Sequence, residues 1–183
     1  MLNRIIERLK LGEVFLYPTD TTFGLGCDAK NVDAIRKIQQ LKNRSDAKSF
    51  VILVDSVRML QSIVDVPVLA WDLMDLSEKP ITIVYDNPRG MPKELVAADN
   101  TIAIRLTNDL FCKKLISKLN SPIVSTSANL SGEPSPTDFE SISTKIKQGV
   151  DYIFPECENF KPLYEASSII KLSEDGQVKV IRE

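Results

Sequence analysis

In the stretch Val14-Phe15-Leu16-Tyr17-Pro18-Thr19-Asp20-Thr21-Thr22-Phe23-Gly24-Leu25-Gly26-Cys27-Asp28, a short apolar run meets a proline and gives way to hydroxyls and glycines. The run predicts a strand over residues 14–17 that stops at Pro18. Small side chains, with glycines that let backbone approach closely, suit a turn that holds a polar ligand. The same spacing also fits a plain strand-to-helix loop. The rest of the chain has to separate the two.

A chain of 183 residues, 43% hydrophobic and 26% charged, is expected to fold as one α/β domain over residues 1–183. A net charge of −2 provides no global field for nucleic acid, so phosphate binding has to come from a local cluster. Histidine is absent, and Cys27, Cys112 and Cys157 are far apart with no CxxC pair. Zinc sites and serine–histidine or cysteine–histidine catalysis are thereby excluded. The three thiols read as small buried hydrophobes in a reducing, cytoplasmic setting. Met1 to Lys10 interleaves charge with apolar side chains, unlike a signal peptide. No apolar run reaches membrane-spanning length, so no membrane is expected as a partner.

Outward from the opening stretch, Leu2, Ile5, Ile6 and Leu9 recur at helical spacing until Gly12. Asn31 is placed to cap a helix that buries Ile35, Ile38 and Leu41. Phe50 to Val54 is a continuous apolar run, expected as a strand buried on both faces. Ser56 and Pro67 mark the starts of two more helices. Ile81 to Tyr85 and Thr101 to Arg105 read as strands, and Asn108 is placed to cap a helix from Asp109 to Leu119. Pro122 to Ser125 is a short strand, and a helix is expected from Asp138 to Lys147. Tyr152 to Phe154, Ser168 to Leu172 and Val178 to Ile181 close the series, with a hairpin signal at Asp175-Gly176. Strands and helices alternate without a clean βαβ repeat, which predicts a mixed, twisted sheet.

Three polar clusters fall at the ends of these elements. The first is the Thr19/Thr21/Thr22 turn. The second is Lys42-Asn43-Arg44 with Lys48, whose cations suit phosphate oxygens but also suit a solvated helix end. The third is Ser125-Thr126-Ser127-Ala128-Asn129-Leu130-Ser131-Gly132. Hydroxyls and an amide past the end of a strand are where α/β proteins place ligands, though serine-rich turns also satisfy their own backbone. Neither a Walker-type phosphate loop nor a Gly-x-Gly-x-x-Gly fingerprint is present, so a nucleotide would be bound by another design.

Tyr17-Pro18-Thr19-Asp20-Thr21 with Gly24-Leu25-Gly26, then Lys42-Asn43-Arg44, then Ser125 to Gly132, resemble the YrdC family in order and spacing, as does the intervening Ile102-Ala103-Ile104-Arg105. The resemblance runs over residues 5–182, and Lys42/Arg44 with Ser127/Asn129 is its most specific part. It implies a single-domain, YrdC-like α/β fold with a twisted open mixed sheet, flanking helices and a large concave pocket. The implied activity is L-threonylcarbamoyladenylate synthesis, a nucleotidyl transfer. It joins L-threonine, bicarbonate and ATP, releases pyrophosphate and feeds the N6-threonylcarbamoyladenosine modification of tRNA.

By position, Thr21, Arg105, Ser125 and Ser168 resemble the family's threonine-binding residues. Arg44, Lys48, Thr101, Ser127, Asn129, Ser135 and Arg182 resemble its ATP contacts, with Lys42 and Arg44 in the catalytic role. Mg²⁺ is expected to arrive with ATP rather than in a protein-bound site. Expected partners are the substrates, tRNA, and a downstream threonylcarbamoyl-transferase complex. The alternative is a divergent paralogue acting as a double-stranded RNA or nucleotide-binding module. The family's proline after Lys-x-Arg and its Pro-Leu before the next strand are replaced here by Ser45 and Ser49-Phe50. Its Pro-Gly-Pro-Leu-Thr is replaced by Glu78-Lys79-Pro80-Ile81-Thr82. Both changes loosen loops without removing a charged group. The chain ends just after its last expected strand, as the short, single-domain form does.

Overall fold

Gly24-Leu25-Gly26 sits within a strand, where the sequence had predicted a turn leading to a helix. The computed structural model describes residues 2–43, 50–161, 166–173 and 176–183. In it β1 (Phe15–Pro18) pairs antiparallel with β2 (Phe23–Asp28), Tyr17 opposite Gly24 and Pro18 opposite Phe23. The four residues between them form a hairpin turn fixed by the Thr19 side chain. Its hydroxyl donates to the Thr22 carbonyl at 2.8 Å and accepts from the backbone N–H groups of Thr21 and Thr22, each at 3.2 Å. That local bonding explains the run of threonines.

The glycines have a packing cause. The Tyr17 ring lies over β2, so that a Cβ on Gly26 would stand 2.6 Å from Tyr17 Cε1 and 3.0 Å from the Val124 carbonyl oxygen. A strand position that a neighbouring ring must cross admits only glycine. Gly26→Ala is therefore expected to destabilise the protein by about 1–3 kcal/mol through overpacking. A urea titration should record it as a lower midpoint at unchanged slope.

The remaining elements are α1 (Leu2–Lys10), α2 (Val32–Leu41), β3 (Val51–Val54), α3 (Val57–Ile63), α4 (Val68–Leu76), β4 (Ile81–Asp86), β5 (Thr101–Leu106), α5 (Leu110–Leu119), β6 (Ile123–Ser127), α6 (Thr144–Gly149), β7 (Tyr152–Ile153), β8 (Ser168–Leu172) and β9 (Val178–Arg182). The described strands form one mixed sheet in the order β7-β1-β2-β6-β3-β5-β4-β8-β9. β3 is central, parallel to β5 and antiparallel to β6, and Ile52, Leu53 and Val54 are fully buried, as its unbroken apolar run requires. Helices α1, α2, α3 and α5 pack on β2, β3 and β5 and supply much of the core through Ile5, Leu9, Ile35, Ile38 and Ile116.

Local signals placed most boundaries. Asn31 and Ser56 accept from the N–H groups of Ala34 and Met59, and α4 begins after Pro67. The α5 cap is Asp109 rather than Asn108, its carboxylate accepting from Cys112 N–H at 2.7 Å. The helix expected from Asp138 begins only at Thr144, because the Asp138 carboxylate first closes a turn by accepting from Ser141 N–H at 2.8 Å. The hairpin signal survives in part: β8 and β9 pair antiparallel around Gly176 at φ +84°, while Asp175 lies outside the described residues.

Candidate functional site

One face of the sheet gathers polar side chains from distant parts of the chain. Gly24 pairs with Ser127, Gly26 with Ser125, Ser125 in turn with Val51, and Leu53 with Arg105. These residues share a face by the two-residue period of strands. Except for Gly26, they line a cavity of about 250 Å³ together with Thr19, Thr21 and Thr22 of the turn and Arg182 reaching across from β9. Thr19, Thr21, Thr22, Arg105, Ser125, Thr126, Ser127, Ser135, Ser167 and Arg182 supply its polar lining. A larger cleft of about 550 Å³ lies beside α3, but it is lined by none of the expected site residues. Its Arg89 is already paired with Asp65 at 2.8 Å.

Thr21, Arg105, Ser125, Ser127, Ser135 and Arg182 thus come together, although as many as 161 positions separate the first from the last. Arg105 is nearly buried and its guanidinium is incompletely matched. Nη2 donates to Asp20 Oδ1 at 2.9 Å, Nη1 lies 3.4 Å from Thr21 Oγ1, and Nε has no partner. A buried donor without a partner costs about 1–3 kcal/mol. Arg182 donates from Nε and Nη2 to the Ser167 carbonyl at 3.0 and 2.6 Å. Partial burial, and then the charge of Arg105, push the Arg182 guanidinium below its ordinary value. With Asp20 paired to Arg105, the two arginines still leave a net positive charge at the cavity in a chain whose net charge is negative.

Behind Ser125 stands Tyr17, whose buried hydroxyl donates to Ser125 Oγ at 2.9 Å. Burial, then the neighbouring Cys112, push that phenol well up, so it remains a donor.

Lys42 and Asn129 meet, but behind the cavity wall. Lys42 is 3% exposed and its Nζ donates to the carbonyls of Ser127 and Asn129, the latter at 2.7 Å. Asn129 Oδ1 accepts from the Ser127 hydroxyl, and its Nδ2 donates to the Leu130 and Glu133 carbonyls at 3.0 and 2.6 Å. The pair therefore ties the segment after β6 to the end of α2. Arg44 and Lys48, with Ser45 and Ser49, lie outside the described residues.

Two expected positions stand away from the cavity. Thr101 opens β5 four residues before Arg105, roughly 13 Å along the strand. There its hydroxyl donates to Asp99 at 2.7 Å. Ser168 belongs to the opposite face of β8, and the neighbours that line the cavity are Ala166, Ser167 and Ile169. A shift of one position changes the face. Ser167 was missed in the sequence, where the alternation through Ile169 was the available signal.

Burial pushes all three thiols up, Cys157 to about 12, so none is a nucleophile at neutral pH. Among the described residues no group of three or more potential ligands is placed to hold a metal, and no helix is long and apolar enough to cross a membrane.

Comparison with known proteins agrees with this fold. The Sua5/YciO/YrdC family profile, described as "Telomere recombination", matches residues 7–183. A protein of Pseudoalteromonas translucida named threonylcarbamoyl-AMP synthase is 32% identical over 155 residues, covering 82% of this chain and 83% of its own. The crystal structure of Escherichia coli YciO superposes with a TM-score of 0.82 at 25% identity, over 100% of this chain and 88% of that one. A Sua5 structure from P. abyssi gives 0.82 at 26% identity over 94% of this chain, which spans only half of the Sua5 chain.

Proposed function

This chain belongs to the Sua5/YciO/YrdC family, and from that premise we propose that it condenses L-threonine, bicarbonate and ATP to threonylcarbamoyl-AMP, releasing pyrophosphate. The observation that carries the reading is the cavity that Arg105, nearly buried and with an Nε that has no hydrogen-bond partner, lines together with the hydroxyls of Thr21, Ser125 and Ser127. Arg105 receives the threonine carboxylate, with Thr21 and Ser125 beside it. Ser127, Ser135 and Arg182 line the nucleotide end, and Lys42 with Asn129 holds Ser127 in place. Arg44 and Lys48 are assigned to the phosphates on sequence alone. Thr101 and Ser168 have no part in this reading, and Ser167 takes the position expected of Ser168.

Threonine's amine and bicarbonate give an N-carboxylate and water. A carboxylate oxygen then attacks the α-phosphorus of ATP, and the bond from that phosphorus to the bridging oxygen breaks as pyrophosphate leaves. The attacking oxygen is already anionic, so the displacement needs no histidine. What the protein must supply is alignment and positive charge where the leaving oxygens develop theirs. In this reading Mg²⁺ arrives with the triphosphate, and Asp20 is engaged with Arg105. The product supplies the threonylcarbamoyl group for tRNA modification, through a downstream transferase. A cytoplasmic location suits both that chemistry and three free thiols.

Incubating the protein with all three substrates, and then leaving out each in turn, tests the proposal. Pyrophosphate is expected only when ATP, L-threonine and bicarbonate are all present. Release that ignores threonine overturns the reading.

A further inference from the structure

The Asp20–Arg105 pair is a partition as well as an ion pair. Arg105 lines the substrate cavity on one side and a second cavity, of about 220 Å³, on the other. Asp20 lines only the second. The carboxylate therefore grips the guanidinium from behind, at 2.9 Å, with the two side chains 13% and 6% exposed. Its own place is fixed, because it sits in the turn that the Thr19 hydroxyl closes.

We propose that Asp20 is a positioning residue that holds Arg105 toward the amino acid's carboxylate; this rests on the assignment of Arg105 to that carboxylate. A long side chain whose Nε has no partner needs an anchor if it is to hold one orientation. The second cavity makes the anchor necessary. It gives the guanidinium room to turn away, and it carries Asp75 and Glu78 as other acids for it to meet. With Asp20 in place, Nη2 is held and the guanidinium keeps one orientation at the wall of the substrate cavity. Asp20 also supplies counter-charge where Arg105 and Arg182 repel.

The test is steady-state pyrophosphate release by the full chain carrying Asp20→Ala or Asp20→Asn, with L-threonine and ATP titrated separately. Asp20→Ala is expected to raise the threonine KM about tenfold or more while leaving the ATP KM unchanged. Formate at tens of millimolar should lower it again, entering the vacated position from the second cavity. Asp20→Asn fills that position and removes the charge, so it should raise the threonine KM without responding to formate. It also keeps the test open if the alanine variant does not fold. An unchanged threonine KM overturns the proposal. So does a parallel rise in both KM values that formate does not reverse, which is the mark of a merely structural role. A wild-type protein with no threonine dependence at all would instead fail the functional reading on which the proposal stands.

Discussion

Arg105→Lys should raise the threonine KM by about 10–100-fold, since each lost charge-assisted bond is worth about 1.5–3 kcal/mol. The ATP KM should stay within about twofold, because lysine keeps the positive charge and loses only the fork. The geometry gives this substitution its force. Arg105 emerges from β5 beneath the Thr19–Thr22 turn, with Nη2 on Asp20 and Nε unpartnered. A lysine ammonium can satisfy Asp20 or a substrate carboxylate, but cannot reach both in the plane that a guanidinium offers. Alanine is the poorer probe. It strands Asp20, only 13% exposed, without its cation, and breaking such a pair costs about 3–5 kcal/mol in stability alone. A lysine variant that melts like the wild type and keeps its threonine KM would remove Arg105 from the amino-acid subsite.

The sequence was informative wherever the signal was local. The apolar run ahead of Pro18, the caps at Asn31 and Ser56, and the alternation in β4 and β5 each depend on a few neighbouring residues, and each was placed to within a residue or two. β2 was lost for a reason that lies 108 residues away. Gly24 and Gly26 look like loop residues until Tyr17 is folded across them to reach Ser125, and only then does glycine become a strand requirement. The cavity divides in the same way. Its hydroxyl clusters could be read as motifs, but pairing them depended on β6 lying between β2 and β3, which the chain order does not announce. Ser167 against Ser168 is a matter of strand parity, set by the pairing of β8 with β4. Nothing local announces the Asp20–Arg105 pair, because its two members lie 85 positions apart.

The same distinction between contact and support decides what Lys42 does. As a phosphate ligand it would be expected to lose activity on substitution while the fold stayed intact. Its Nζ instead donates to the carbonyls of Ser127 and Asn129, and its own carbonyl accepts from Ser131 N–H at 2.9 Å. Lys42→Met keeps the length and apolar stem of the side chain and removes the donors. Two carbonyls then lose a charged partner, and the segment from Ser127 to Glu133 loses its tie to the end of α2. The expected result is a loss of about 2–4 kcal/mol in stability, seen as a lower urea midpoint. It should come with a fall of about 100-fold in kcat/KM for ATP, as the Ser127 hydroxyl leaves its position. The two losses should arrive together, because both come from one displaced segment. Lost turnover at an unchanged urea midpoint would mean that the lysine meets phosphate directly. A lowered midpoint with full turnover would mean that Ser127 does not serve the nucleotide.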